Sequence, residues 1–378
     1  MKTIESRERG SAGQHQGAAM KKGWEIKALG ELCDVLDSKR KPITKRDRKA
    51  GDYPYYGATG VLDHVAGYLF DEPLVLVGED GAKWASGENT AFAVEGKIWV
   101  NNHAHVLRPH RNTLLDNWLI YHLNHTDLTD FVSGLTVPKL NQGSLREIPI
   151  PVPPLAEQQR IVGLLNEAFE GLATAKANAE KNLQNARALF ESHLQAVFTQ
   201  RGEGWVETTL GDICVVDWGN TDLTKSSYVD GGKYLAVSAA GCDGRIGHKE
   251  HAKHTPVLSA IGAQCGRMFL PEEDFTAIKN TITLTPRVGT CAGKFLYRLL
   301  THVELPKRGA AQPFIAKGDI LKFQIVVPED SEAQLRIVDS LDELEEETQR
   351  LARLYERKLA ALEELKKSLL HQAFSGDL

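Results

Sequence analysis

Residues 157–199 and 333–375 are copies of one another, and this constrains the fold more than any other feature of the chain. Arg160-Ile161-Val162 returns as Arg336-Ile337-Val338, and Ser192, Leu194 and Phe198 return as Ser368, Leu370 and Phe374. The offset is 176 at both ends (336−160 and 374−198), so the copies are equal in length. In the second copy Ile337, Leu341, Leu344, Leu351, Tyr355, Leu362, Leu365 and Leu369 recur at heptad spacing, interrupted at Thr348, Lys358 and Gln372. That is the pattern of a coiled-coil seam. The same positions carried back by 176 are Ile161, Leu165, Ala168, Leu172, Ala175, Ala179, Asn182, Ala186, Leu189, His193 and Ala196, a seam of smaller side chains. Close packing sets small against large. The two helices are therefore predicted to pair with each other, each about 60 Å long at 1.5 Å per residue. The alternative is two amphipathic helices docked separately on a globular core.

The globular parts repeat as well. Gly23-Trp24 opens GWEIKALGELCDVLD and Gly204-Trp205 opens GWVETTLGDICVVDWG, at an offset of 181 (205−24). Duplication of this kind makes each half a folding unit. In the first unit, YPYYGATGVLDHVAGYLF predicts strands and tight turns, and EPLVLVGEDGA a buried strand. FAVEGKIWVNNHAHVLRP predicts a hairpin turning at Glu95-Gly96, NWLIYHLNHTDL a short helix, and IPIPVPP, with its alternating prolines, no helix. In the second unit TPVLSAIGAQCGRMFL and FTAIKNTITLTP are the strands and KFLYRLL the matching helix. Ser331 and Gln334 predict a capping box at the start of the second long helix, where the first copy has Pro153 and Pro154.

The predicted organisation is an extension at 1–22, a first domain at 23–153, a long helix at 154–200, a second domain at 201–329 and a second long helix at 330–378. The extension, rich in Gly, Ser, Gln and charge, is expected to be disordered, and Met20 is a second candidate start. Cys33, Cys214, Cys242, Cys265 and Cys291 show no CxxC spacing, which predicts reduced thiols and a cytoplasmic protein. Cys33 and Cys214 occupy matching places and are expected in the core. No apolar run is long enough to cross a membrane. A net charge of −5 argues against bulk basicity, but local fields differ. SKRKPITKRDRKAG carries Lys39, Arg40, Lys41, Lys45, Arg46, Arg48 and Lys49 against Asp47, while Glu343, Glu345, Glu346 and Glu347 bunch on the second helix.

Gly289 to Phe295 lacks the spacing and hydroxyl of a phosphate loop, and no segment matches the Asn-Pro-Pro-aromatic or Asp-Pro-Pro-Tyr pattern of amino-methyltransferases. Asp80, Glu95 and Lys97 resemble the carboxylates and lysine of a Mg²⁺-dependent nuclease, the alternative function for this chain. His103 and His105, or His248, His251 and His254 with Cys242 and Cys265, suggest zinc, but without thiolate-pair spacing no metal site is assigned. A coiled-coil adaptor without a nucleic-acid role is the third possibility.

With two units and two rods in place, the chain resembles the specificity subunit of a type I restriction-modification system. The resemblance rests on the duplicated half, on VPKLNQGSLREIPIPVPPLAEQQRIV (137–162) and its partner QPFIAKGDILKFQIVVPEDSEAQLRIV (312–338), and on the closing LLHQAF. It implies an α+β fold, with two similar target-recognition domains joined by two long helices packed as an antiparallel coiled coil. It further implies a non-catalytic subunit that reads a bipartite, asymmetric target in double-stranded DNA. The expected partners are two adenine methyltransferase subunits and restriction/translocase subunits. S-adenosylmethionine, ATP and Mg²⁺ are expected in those partners, with no cofactor in this chain.

Candidate DNA contacts follow from side-chain chemistry. In the first unit the run Lys39, Arg40, Lys41, Lys45, Arg46, Arg48 and Lys49 is assigned to phosphates, and Tyr56, Thr59, Asn101, Asn102, His103, Lys139, Asn141 and Gln142 to base readout. In the second unit the candidates are Lys225, Ser238, Arg245, His248, Lys249, Lys253, Arg267, Lys279, Asn280 and Lys317.

Overall fold

The computed structural model describes residues 21–134 and 136–378; the expected N-terminal extension lies, up to residue 20, outside the described residues. The chain divides into two compact units, residues 1–179 with 357–378, and residues 180–356.

The first unit opens with β1 (Glu25–Ala28), α1 (Leu29–Leu32) and β2 (Cys33–Val35). A hairpin follows, β3 (Ala50–Gly57) and β4 (Gly60–Val65), then β5 (Phe70–Asp71), β6 (Leu74–Gly78), β7 (Ala91–Val94), β8 (Lys97–Val100) and β9 (Ala104–Pro109). The remainder is α2 (Asp116–His125), β10 (Val132–Ser133), β11 (Lys139–Leu140), α3 (Gln142–Glu147), β12 (Pro149–Val152) and α4 (Leu155–Thr199), the first long helix. Two four-stranded sheets form, in the orders β2-β9-β6-β7 and β4-β3-β8-β5, while β1 pairs with β12.

The hairpin expected at Glu95-Gly96 is not formed, since β7 pairs with β6 and β8 pairs with β3 and β5. Gly96, at φ 71°, instead turns the chain from one sheet into the other. Period-two alternation continues through such a turn, so sequence pattern alone could not distinguish the two cases.

The second unit repeats this plan with β13 (Trp205–Thr209), α5 (Leu210–Ile213), β14 (Cys214–Trp218), β15 (Tyr234–Ser238) and β16 (Gly241–Ile246). It continues with β17 (Val257–Ser259), β18 (Met268–Phe269), β19 (Phe275–Ala277), β20 (Thr281–Pro286), α6 (Gly293–His302), α7 (Lys317–Leu321), β21 (Gln324–Pro328) and α8 (Ser331–Ser375), the second long helix. Its sheets run β14-β20-β17-β18 and β16-β15-β19. In both units the second sheet contains a parallel pair, β3 with β8 and β15 with β19.

Each long helix gives its N-terminal half to one unit and its C-terminal half to the other, and within each unit the halves run antiparallel. In the first unit Arg160 donates to the carbonyl of Leu378 and Lys176 pairs with Glu363. In the second, Arg187 pairs with Glu356. Each globular core is completed by both helices. Ile161, Val162 and Leu165 meet Leu370 and Ala373 in one core, and Leu194 and Phe198 meet Val338 and Leu341 in the other. Trp118 lies edge-on to Phe374 at 4.8 Å, and its counterpart Phe295 lies edge-on to Phe198 at 5.7 Å. Cys33 and Cys214 are buried as expected, and burial pushes both thiols up to about 12, which keeps them neutral.

The strict heptad does not hold along the whole helices. Leu165, Ala179 and Ala186 are buried where the pattern places them, but Leu189 is 51% exposed and Leu194 is buried in place of His193. In α8, Leu365 is 49% exposed and Leu359 is half-buried in place of Lys358. A helix turning every 3.6 residues drifts from a 3.5-residue repeat, and the buried stripe moves with it. Thr348, read as an interruption, is buried, its hydroxyl bonded to the carbonyls of Leu344 and Glu345. Among the described residues no helix is long and apolar enough to cross a membrane.

The capping box expected from Ser331 and Gln334 is not the device that starts α8. Asp330 caps α8, accepting from the N–H groups of Glu332 and Ala333 at 3.0 and 3.1 Å. The Gln334 side chain is wholly buried. It accepts from Ala292 N–H and donates to the carbonyls of Thr290 and Pro328. Gln158, 176 residues earlier, makes the same three bonds, from Leu115 N–H and to Thr113 and Pro153. Each glutamine ties the first turn of a long helix to its own globular domain, a function the repeat marked but the capping reading obscured.

Candidate nucleic-acid interface

In the first unit three segments meet at one edge because their backbones bond to each other. Glu79 N–H donates to the His103 carbonyl at 2.9 Å, and Leu140 N–H donates to the Glu79 carbonyl at 2.8 Å. The Thr59 turn closes against them. A Cβ on Gly78 would stand 2.3 Å from that of Ala82 and 3.1 Å from the Ala58 carbonyl, so only glycine permits this approach. Thr59, Asn102, His103, Lys139, Asn141 and Gln142, all candidates from side-chain chemistry, are thereby gathered around one edge.

Their roles differ. Asn102 and His103 are exposed, and His103 pairs with Asp80. Asn101 is buried, donating its N–H to Tyr56 O and accepting from His103 N–H at 2.8 Å, so it builds the turn. Asn141 is exposed and donates to the Ser133 hydroxyl. Tyr56 turns its ring toward Phe92 and lines a separate recess with Pro73, Glu95 and Asp116.

The basic run does not act as a block. Lys39, Lys41, Lys45, Arg46 and Lys49 are exposed. Arg48 pairs with Asp63 and lies 4.4 Å over the Tyr55 ring. The run follows the sheet: Lys41 N–H reaches Val100 O, Ile43 N–H reaches the Tyr55 hydroxyl, and Lys49 O accepts from Ala66 N–H beyond the end of β4 remote from Thr59. Arg40 is largely withdrawn from solvent, with 12% of its side chain exposed.

Arg40 belongs to a charged network beneath the edge. It pairs with Glu79, lies 3.3 Å from Asp37 and donates to the Ala104 carbonyl at 2.7 Å. His105, fully buried, sets Nδ1 2.6 Å from Asp37 and Nε2 2.7 Å from the Leu140 carbonyl. Lys139 pairs with Glu79 at 2.7 Å and Gln142 donates to Asp37 at 3.1 Å. Burial opposes ionisation of Asp37 and Glu79, but for Asp37 the His105 bond and Arg40, and for Glu79 Lys139 and Arg40, outweigh it and hold both carboxyls below their usual range.

Asp37, Glu79 and His105 form the one group among the described residues with metal-ligand proximity. The donor set does not fit an ion, since both ring nitrogens face protein acceptors and two cations already sit against the carboxylates. His248, His251, His254, Cys242 and Cys265 form no such group. The nuclease trio is dispersed: Asp80 follows Gly78 at one end of β6, and Glu95 follows Val94, which pairs with Leu74 at the other.

The second unit builds the same edge. Ala260 N–H donates to Asn280 O and Ile315 N–H to Ala260 O, at 2.9 and 2.8 Å, as Glu79 and Leu140 do in the first. The side chains differ, with Ala260 for Glu79, Ile282 for His105, Phe314 for Lys139 and Lys317 for Gln142. Most of its predicted cations have carboxylate partners: Lys225 with Asp243, Arg245 with Glu273 through two bonds, His248 with Glu250, Lys249 with Asp274, and Lys317 with Asp217. Ser238 is buried and donates to Asp243, whose carboxyl stays low because Lys225, Tyr228 and Ser238 outweigh its burial. Lys253, Lys279 and Arg267 are exposed, and Asn280 takes a left-handed φ of 71°. Trp218 and Phe314, 38% and 39% exposed, are not among the predicted contacts, and Phe314 stands at the repeat position of Lys139.

The profile of the type I restriction modification DNA specificity domain matches residues 21–182 and again 202–357. A type I restriction enzyme specificity subunit of Haemophilus influenzae is 38% identical over 142 residues, 38% of this chain and 36% of that protein. The MjaVIII specificity subunit of Methanocaldococcus jannaschii is 21% identical over 238 residues, 59% of this chain and 53% of that protein. The chain thus spans about a third to a half of the length of these curated relatives. Among solved structures, one from a study of assembly and conformational transition of the type I R-M system aligns with a TM-score of 0.69 at 20% identity, covering 96% of this chain and 100% of the other. The HsdS subunit from Thermoanaerobacter tengcongensis aligns with a TM-score of 0.62 at 19% identity, covering 96% and 99%. With its profile matched twice over most of its length, the chain belongs to the type I restriction modification DNA specificity domain family.

Proposed function

We propose that this chain is the non-catalytic sequence-reading subunit of a type I restriction-modification complex, each unit reading one half of a split, asymmetric target in duplex DNA. The observation that carries this reading is one backbone edge built twice and dressed with different side chains, which suits two unlike half-sites. Exposed Lys39, Lys41, Lys45, Arg46 and Lys49 in the first unit, and Lys253, Arg267 and Lys279 in the second, are proposed phosphate contacts that set register. Asn102, His103 and Gln142 remain the proposed readout side chains of the first unit, and Asn280 and Lys317 of the second.

The paired long helices are proposed to fix the number of unread base pairs between half-sites and to dock two adenine methyltransferase subunits and the restriction/translocase subunits. Methyl transfer and cleavage, with S-adenosylmethionine, ATP and Mg²⁺, then belong to those partners, in the cytoplasm. The test is an adenine-methylation map of the host with the gene present and deleted. A split, asymmetric motif that disappears on deletion is expected; an unchanged map overturns the reading.

A further inference from the structure

Arg40 sits in the basic run yet is shaped for another task. Its guanidinium meets Glu79 on the first segment of the edge, the carbonyls of Asn102 and Ala104 at 3.4 and 2.7 Å on the second, and Asp37 from below. Asp37 also holds Gln142 of the third segment, and Glu79 holds Lys139. A planar fork with five N–H donors can bridge these groups together, which a lysine ammonium on its flexible stem cannot. The carbonyls it grips flank His103, so the guanidinium fixes the backbone from which Asn102 and His103 project.

The second unit lacks this device. Ala260 and Ile282 occupy the places of Glu79 and His105, and both are fully buried. Its turn is held by Ile278 N–H on Val237 O and by the Thr281 hydroxyl on Ile278 O.

We propose that Arg40 is a positioning residue for base discrimination at one half-site only, acting through the Asn102–Ala104 backbone and making no phosphate contact. This rests on the DNA-reading function proposed above. The two fail distinguishably: a wild-type chain that selects no split motif sinks the DNA reading, and the Arg40 proposal falls with it.

The test compares the full-length wild type with Arg40→Lys and with the double variant Arg40→Met/Glu79→Met. The double variant removes a buried pair together, which folds more safely than leaving one charge behind. Selection from random duplex DNA, followed by binding to selected and mismatched duplexes across salt concentrations, gives both readouts. Both variants are expected to lose about tenfold in discrimination at each base of one half-site, within the range for a lost base contact. The other half-site and the salt slope should stay unchanged. Lys45→Ala/Arg46→Ala/Lys49→Ala serves as contrast, expected to weaken all duplexes alike and flatten the slope by about 0.9 per lost phosphate contact. If Arg40→Lys keeps full discrimination, if both half-sites change, or if the double variant flattens the salt slope, the proposal is overturned.

Discussion

Replacing Gln334 by leucine tests whether the two long helices are anchored by equivalent devices. Leucine nearly preserves the volume but leaves Ala292 N–H and the carbonyls of Thr290 and Pro328 without their partner in a fully buried place. An orphaned buried group costs about 1–3 kcal/mol, and the two carbonyls add less than the amide because each keeps a second lone pair for relaxation. A loss of about 3–5 kcal/mol is therefore expected, partly offset by the greater hydrophobicity of leucine. Gln158→Leu should cost the same within about 1 kcal/mol, because its three partners match in kind and geometry. Urea unfolding followed by tryptophan fluorescence measures both, with Trp118 in one core and Trp24 packed against it, and Trp205 packed against the other. Gln158→Glu adds a check of sign. A carboxylate would face the carbonyls of Thr113 and Pro153 with no proton to offer, so this variant should be worse than leucine at neutral pH and recover as the pH falls and the carboxyl takes up a proton. Losses below about 1 kcal/mol in both leucine variants, or a Gln158→Glu deficit that, measured against the wild type at each pH, does not shrink toward low pH, would refute the argument.

Two further expectations follow. Deleting one heptad from both long helices removes about 10 Å of helix, or about three base pairs, so the unread spacer should shorten by that amount; an unaltered spacer in the selected motif excludes the helices as the ruler. Burial pushes His122 down to about 4, with Pro149 O accepting from its ring. The unfolded chain therefore binds the proton first, and stability should be lost between about pH 6.5 and 4, by up to about 3 kcal/mol. His122→Gln should flatten that interval in urea titrations, and an unchanged pH slope would show that His122 is not its source.

What sequence could reveal was set by range. The long helices, the buried run Leu74–Gly78 and the matched Cys33 and Cys214 depend on period and repeat, which lie along the chain, and the structure contains all of them. Electrostatic roles depend on partners brought in by the fold. Arg40 reads as one more cation in a basic run, and nothing local announces Glu79, 39 residues away, or the Ala104 carbonyl. Likewise Lys225, Arg245 and Lys249 read as free cations until folding presents Asp243, Glu273 and Asp274. Residue chemistry therefore picked out Thr59, Asn102, His103 and Gln142, which the fold brings near one edge, but could not separate side chains that face outward from those that brace the edge from below.

The edge itself explains how one fold can carry two different sets of side chains. Its three segments are joined by main-chain bonds, Glu79 to His103 and Leu140 to Glu79 in one unit, Ala260 to Asn280 and Ile315 to Ala260 in the other. Such bonds do not depend on side-chain identity, so the positions that carry them are open to exchange. A buried ionic network in the first unit becomes alanine, isoleucine and an exposed phenylalanine in the second, while the four-stranded sheet beside it keeps its order, β2-β9-β6-β7 against β14-β20-β17-β18. Replacing a satisfied polar network by apolar residues is close to neutral when all partners change together, and strongly unfavourable when one changes alone. Divergence at this edge must then proceed by whole sets, and the two units, carrying different sets, are expected to prefer different bases.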